Sequence, residues 1–171
     1  LAPGVELWLD VATFQALVNE TRTHRHSPEH PCAECFDMLK EAIEMYRGDF
    51  MAGFNLPDSP GFDEWRFFQA EELRQLLTEA LQQLINWHIS RGEYEQGIPY
   101  ARRWLSLDRL HEPAHRCLMQ LYAWSGQQAA ALRQYEECRR ILQEELGLEP
   151  DEETEAAYEG IKSRTLGSPG P

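Results

Sequence analysis

Three histidines and two cysteines crowd one short stretch, His24-Arg25-His26-Ser27-Pro28-Glu29-His30-Pro31-Cys32-Ala33-Glu34-Cys35. Two thiolates and two imidazoles form a tetrahedral zinc site. The expected ligands are His24, His26, Cys32 and Cys35, with His30 as the alternative imidazole. Cysteines three apart in the first turn of a helix share a face and can chelate one ion. The loop from His24 is long enough to fold back over them. The competing reading is a polar loop rich in histidine, followed by two helix-start cysteines, because the spacing is not that of a standard finger. A zinc ion here would be a closed structural site pinning the first helix to the second. A Cys2His2 set leaves no position for a substrate, so hydrolysis is not expected. A redox pair is the third option; the loop ahead of Cys32 argues against a thioredoxin-type unit, which wants a strand there.

The rest of the chain offers little to catalysis. His111 and His115 are four apart, but Pro113 lies between them and opposes one continuous helix through both. With His88 they read as surface or core histidines. The pairs Glu71-Glu72 and Glu136-Glu137 sit among counter-charges, without the apolar surroundings that raise a carboxyl pKa. No Ser-His-Asp ordering, nucleophile elbow or Gly-rich phosphate loop occurs. Five tryptophans (Trp8, Trp65, Trp87, Trp104, Trp124) read as filling between helices rather than a ligand cage, with Trp104 and Trp124 the best placed to reach a groove. The chain is read as no enzyme, with no cofactor besides a structural zinc.

The elements that must position these residues follow from a repeat. Shifting the sequence by 34 residues lays Leu84 on Leu118, Ile85 on Met119, His88 on Tyr122, Gly92 on Gly126, Gly97 on Ala131, Ala101 on Tyr135 and Leu107 on Ile141. That is the tetratricopeptide length, about 34 residues of helix–turn–helix. The expected fold class is all-α, a tetratricopeptide-like helical repeat (α-solenoid) of about seven helices. Such a fold offers a surface to a partner rather than a catalytic cleft.

Residues 1–9 read as a connector from an upstream domain, because the chain starts at Leu1 without Met or a signal-peptide pattern. Asp10 would cap a helix to about Glu20, with Val11, Phe14, Leu17 and Val18 inward. Residues 21–31 form a loop. A second helix runs from about Cys32 to Tyr46, with Phe36, Leu39, Ile43 and Tyr46 as its stripe. Gly48-Asp49-Phe50 with Gly53 echoes Gly92-Glu93-Tyr94 with Gly97 and reads as a degenerate third copy of the inter-helix turn. A long helix from about Phe62 to Arg91 would turn Trp65, Phe68, Leu73, Leu77, Leu81, Leu84 and His88 inward; its length invites a kink.

Gly92, Gly126 and Gly147 are expected as left-handed caps ending three helices. Tyr94–Leu107 is the partner helix, with Pro99 in its first turns. The next pair starts near Glu112 and near Gln127. Asp151 should cap a last helix from 152 to about 165 carrying Ala156, Tyr158 and Ile161, and 166–171 reads as a disordered tail.

The net charge of −13 is the wrong sign for neutralising phosphate, so direct nucleic-acid binding by this segment is not expected. The acid is uneven: residues 144–159 hold Asp151 and seven glutamates with no base, whereas the preceding helices are rich in arginine. This is either a solvated acidic face or an acidic segment received by a basic patch on the repeat helices. No apolar run reaches the ~20 residues of a membrane span. Cys117 and Cys138 read as small core residues, and no disulfide framework is suggested, so a reducing cytoplasm fits best.

Glu112–Ile161 (EPAHRCLMQLYAWSGQQAAALRQYEECRRILQEELGLEPDEETEAAYEGI) resembles the bacterial transcriptional activator domain of SARP-type regulators. So do YRGDFMAGF (46–54), LPDSPGFDEW (56–65) and WLDVATF (8–14), which places the domain at 10–165. The resemblance implies a tetratricopeptide-type fold in a bacterial regulator, beside a winged-helix DNA-binding domain outside this segment. It implies a regulatory role through protein contacts: with that DNA-binding domain, with other regulator chains, or in a homodimer. The alternative function is a zinc- or redox-responsive switch using the His-rich segment.

Overall fold

The computed structural model describes residues 9–24, 32–54 and 56–169. His26, His30 and Trp8 lie outside these residues, as does nearly all of the expected connector. Among the described residues there are seven helices and no strand: α1 (Asp10–Thr23), α2 (Ala33–Met45), α3 (Pro60–Ser90), α4 (Tyr94–Leu107), α5 (Glu112–Trp124), α6 (Gln128–Leu146) and α7 (Glu152–Lys162). They form two compact units, Leu1–Gln83 and Leu84–Pro171, with the boundary inside α3.

In the second unit the repeat is visible atom by atom. Gly92 and Gly126 both adopt left-handed backbone, with φ of +70° and +79°. The Glu93 N–H donates to the His88 carbonyl at 2.8 Å, and the Gln127 N–H donates to Tyr122 at 2.8 Å. The same bond thus recurs at the same offset. Glycine adopts this left-handed backbone without the Cβ strain that other residues incur. Past each bend the next helix packs back. Leu84, Ala101, Ala114, Leu121 and Ala131 are fully or nearly fully buried there. At Gly97 an added Cβ would lie 3.2 Å from Leu121 Cδ2, so α4 and α5 approach closely at this point. The Arg102 Nε and Nη2 donate to the Tyr122 hydroxyl at 3.0 and 2.6 Å, a second tie between these helices. α6 ends at Gly147, φ +68°, as its sequence implies.

The first unit pairs α1 with α2 and carries the earlier part of α3. Phe14, Val18 and Thr21 of α1 are buried with Cys35, Leu39, Ala42 and Ile43 of α2 and with Leu73, Leu76, Leu77 and Leu81 of α3. The Phe14 and Tyr46 rings lie 5.6 Å apart.

Several expectations need correction. α1 runs to Thr23, because buried Thr21 satisfies its hydroxyl on the Val18 carbonyl at 2.8 Å instead of opening a loop. Leu9, not Asp10, is its N-cap. Gly48 has no left-handed backbone and no helix follows until Pro60, so the stretch after Tyr46 is a turn and not a third repeat bend. α3 is continuous over 31 residues. Trp65 and Phe68 are 47% and 60% exposed rather than inward: the helical period sets a face, but the rings beside Trp65 are Phe50 and Phe62 rather than a covering helix. Pro99 is the sixth residue of α4, beyond the four free N–H groups of the first turn, and its ring lies on an exposed face. α7 buries Thr154, Ala157 and Ile161, leaving Ala156 exposed. The residues after α7 fold back, with the Trp124 Nε1 donating to the Gly167 carbonyl at 3.1 Å.

Gly126→Ala places a Cβ on a backbone of φ +79° and should cost about 1–2 kcal/mol, read as a lower urea midpoint. Gly61→Ala, in the first turn of α3 with open space around it and no positive φ, should leave the midpoint unchanged or raise it.

Candidate functional site

His24 is the residue at which α1 stops, with φ −67° and ψ 144°. Cys32 is the N-cap of α2, φ −77° and ψ 170°, and Cys35 is one turn further on. The two helix ends therefore bring the three side chains together. His24 Nδ1 lies 3.5 Å from Cys32 Sγ. The ligand atoms of His24, Cys32 and Cys35 all fall within 4.8 Å of one another. Among the described residues this is the one cluster of three or more metal-ligating side chains. Cys35 is fully buried, and His24 and Cys32 are half-buried.

The electrostatics separate the two thiols. The Cys35 backbone N–H at the start of α2 lowers the Cys32 thiol to about 7, with help from the His24 ring. A helix N-terminus favours negative charge in this way. The hydrogen bond to Cys32 in turn raises the His24 imidazole. Burial pushes the Cys35 thiol up to about 12. Cys32 is thus the thiolate-forming partner and Cys35 the protected one. Cys117 and Cys138 stand apart; burial raises both thiols to about 12, as for inert core cysteines.

The other described histidines form no metal pair. His115 is buried, with Nε2 at 2.9 Å from the Arg109 carbonyl and Nδ1 at 2.7 Å from the Gln134 amide. One ring nitrogen donates and the other accepts, which suits a neutral ring, and burial lowers its pKa. His88 is also buried, against Glu93 at 3.0 Å and stacked on Tyr100. His111 is the N-cap of α5, so it does not share a helix with His115 as a metal pair would need.

Two further features emerge from the structure. The acidic segment is received by the chain's own α5. Arg116 Nη1 contacts Asp151 Oδ2 at 2.9 Å and Thr154 Oγ1 at 2.9 Å, and its Nη2 contacts Glu153 at 2.7 Å. Asp151 also caps α7, accepting from the Thr154 N–H at 2.6 Å. The excess of arginine in 100–143 pointed to this receiver, although the particular residue was not legible. The second feature is an apolar surface on the first unit. Phe67 and Phe68 are 61% and 60% exposed, and Phe54, Leu56 and Met51 are exposed as well. Phe50 joins it to a cavity of about 840 Å³ lined also by Leu9, Phe14, Tyr46 and Leu73. No signal in the sequence marked this surface, because adjacent apolar pairs such as Leu76-Leu77 and Leu84-Ile85 are buried on the same helix.

A family model for the bacterial transcriptional activator domain matches residues 9–162. The chain belongs to that family. Regulatory protein AfsR of Streptomyces coelicolor is 25% identical over 142 residues, which is 83% of this chain and 13% of that protein. The chain therefore spans only a small part of the relative's length. As a bacterial transcriptional activator domain it is a module of transcription regulators. No described helix is long and apolar enough to cross a membrane.

Two outcomes follow. In reduced, metal-stripped protein, alkylation of Cys32 should reach half its limiting rate near pH 7, read by mass spectrometry, while Cys35 stays unmodified at that pH. Asp151→Ala should cost about 1–2 kcal/mol in urea unfolding, and Asp151→Asn less, since the amide still caps α7. Burial draws the Asp151 carboxyl upward, but Thr154 and Arg116 outweigh it and hold the pKa below its usual value. Its contribution is therefore present at neutral pH and lost as pH falls below about 4, so the gap between wild type and Asp151→Asn should close in acid.

Proposed function

We propose that this transcriptional activator domain holds a protein partner, the DNA-binding domain of its own regulator, on the aromatic surface of the first unit. The observation that carries this reading is the cluster of exposed Trp65, Phe67, Phe68 and Phe54 beside the cavity at Phe50. Exposed apolar patches rimmed by polar residues mark interaction sites, and aromatic anchors supply most of the binding energy. Charge selects the partner. A chain of net charge −13 repels phosphate and attracts a basic face, and a DNA-binding domain must present one. The share of AfsR that the match leaves uncovered gives ample chain for such a domain in a regulator of that kind. Control of transcription then runs through this contact, with the domain itself touching no DNA.

Calorimetry between this chain and the DNA-binding domain of the same regulator tests the reading. Binding is expected, weakened at least about tenfold by Phe67→Ser with Phe68→Ser. Circular dichroism should stay unchanged, because neither ring belongs to the core. Wild-type protein giving no contact, in cis or with other regulator chains, would reduce the domain to a spacer.

A further inference from the structure

We propose that His24, Cys32 and Cys35 bind a zinc ion that fastens the end of α1 to the start of α2. The three donors come from the facing ends of two helices, and no other described cluster brings three such side chains together. Their spacing fits the ion. With Zn–S near 2.3 Å and Zn–N near 2.0 Å, a tetrahedron has edges of roughly 3.5–3.8 Å. His24 Nδ1 and Cys32 Sγ are 3.5 Å apart, and all three donor atoms lie within 4.8 Å. Small rotations of side chains therefore complete the site without moving either helix.

The donor set chooses the metal. Soft thiolates with an imidazole favour zinc over magnesium or calcium, which want oxygen. Cys32 and Cys35 chelate from one face of the first turn of α2. The neutral state of buried Cys35 is no obstacle, because a bound cation deprotonates a coordinating thiol. Three protein donors leave one position for water or a further ligand. The function of the ion is structural. His24 and Cys32 are eight positions apart in sequence, and a metal bridge between them ties the end of α1 to the start of α2. Binding energy at such a site becomes folding energy.

The test uses the 171-residue chain, reduced, loaded with zinc and dialysed. Elemental analysis should find about one equivalent per chain, and a chelator should lower the melting temperature. Cobalt(II) added to stripped protein should give a thiolate-to-cobalt charge-transfer band. Cys32→Ser and His24→Ala should each cut zinc affinity at least about tenfold. Both residues are only half-buried, so these variants should keep the helical circular dichroism of the wild type, whereas buried Cys35→Ser is exposed to misfolding. Cys117→Ser, remote from the site, should retain the metal and the band. Less than about a tenth of an equivalent in loaded wild type with no cobalt band would overturn the proposal, as would full retention by Cys32→Ser or loss in Cys117→Ser.

Discussion

Every helix between Leu84 and Lys162 carries an apolar stripe that has no cover of its own. Leu84 and Ile85, Ile98 and Ala101, Leu118 and Met119, Ala131 and Tyr135 are all buried, each against the neighbouring hairpin. Taking one leucine or isoleucine out of water is worth about 1.5–3 kcal/mol, more than helix propensity supplies over the same residues. Mutual cover is therefore what turns these helices from marginal segments into a fold. It needs sharp reversals of fixed length, and the glycines at 92 and 126 provide them. It also needs thin places, and Gly97 is one, letting α4 come down on Leu121.

That constraint explains what the sequence disclosed. A repeat writes the same contacts twice, so Leu84 and Leu118, or Gly92 and Gly126, announce each other, and a left-handed bend leaves glycine as its signature. The last helix was legible at its start for a different reason: Asp151 followed by Glu152 and Glu153 suits only the positive end of a helix. Where no second copy exists, the reading weakened. Gly48 and Gly53 match a repeat bend in composition, yet the residues after them lack the apolar rhythm of a helix. Trp65 and Phe68 lie on the same stripe as Leu73 and Leu77, and periodicity alone does not say how far a covering helix reaches.

The metal-like cluster was half legible for similar reasons. The spacing of Cys32 and Cys35 marks a shared helical face in any sequence. The contribution of His24 depends on α1 running to Thr23, and that depends on Thr21 turning its hydroxyl back to Val18 inside the core. A threonine in the polar run Glu20-Thr21-Arg22-Thr23-His24 looks like loop in one dimension. The exposed phenylalanines show the converse: they look like core by composition, and nothing in their spacing sets them apart from buried adjacent pairs such as Leu118-Met119. Both features sit in the unit without repeats, where the regulatory reading and the zinc proposal draw their residues.

A stack of hairpins has an end, and an end with an apolar face invites continuation by whatever fits it. In the second unit α7 contacts both α5 and α6, with Ala157 and Ile161 buried and Tyr135 stacked on Tyr158. It is fixed by ionic contacts from Arg116 as well as by packing. α7 thus supplies α5 and α6 with the apolar cover that a further hairpin would otherwise give, and Arg116 adds an ionic clasp to it.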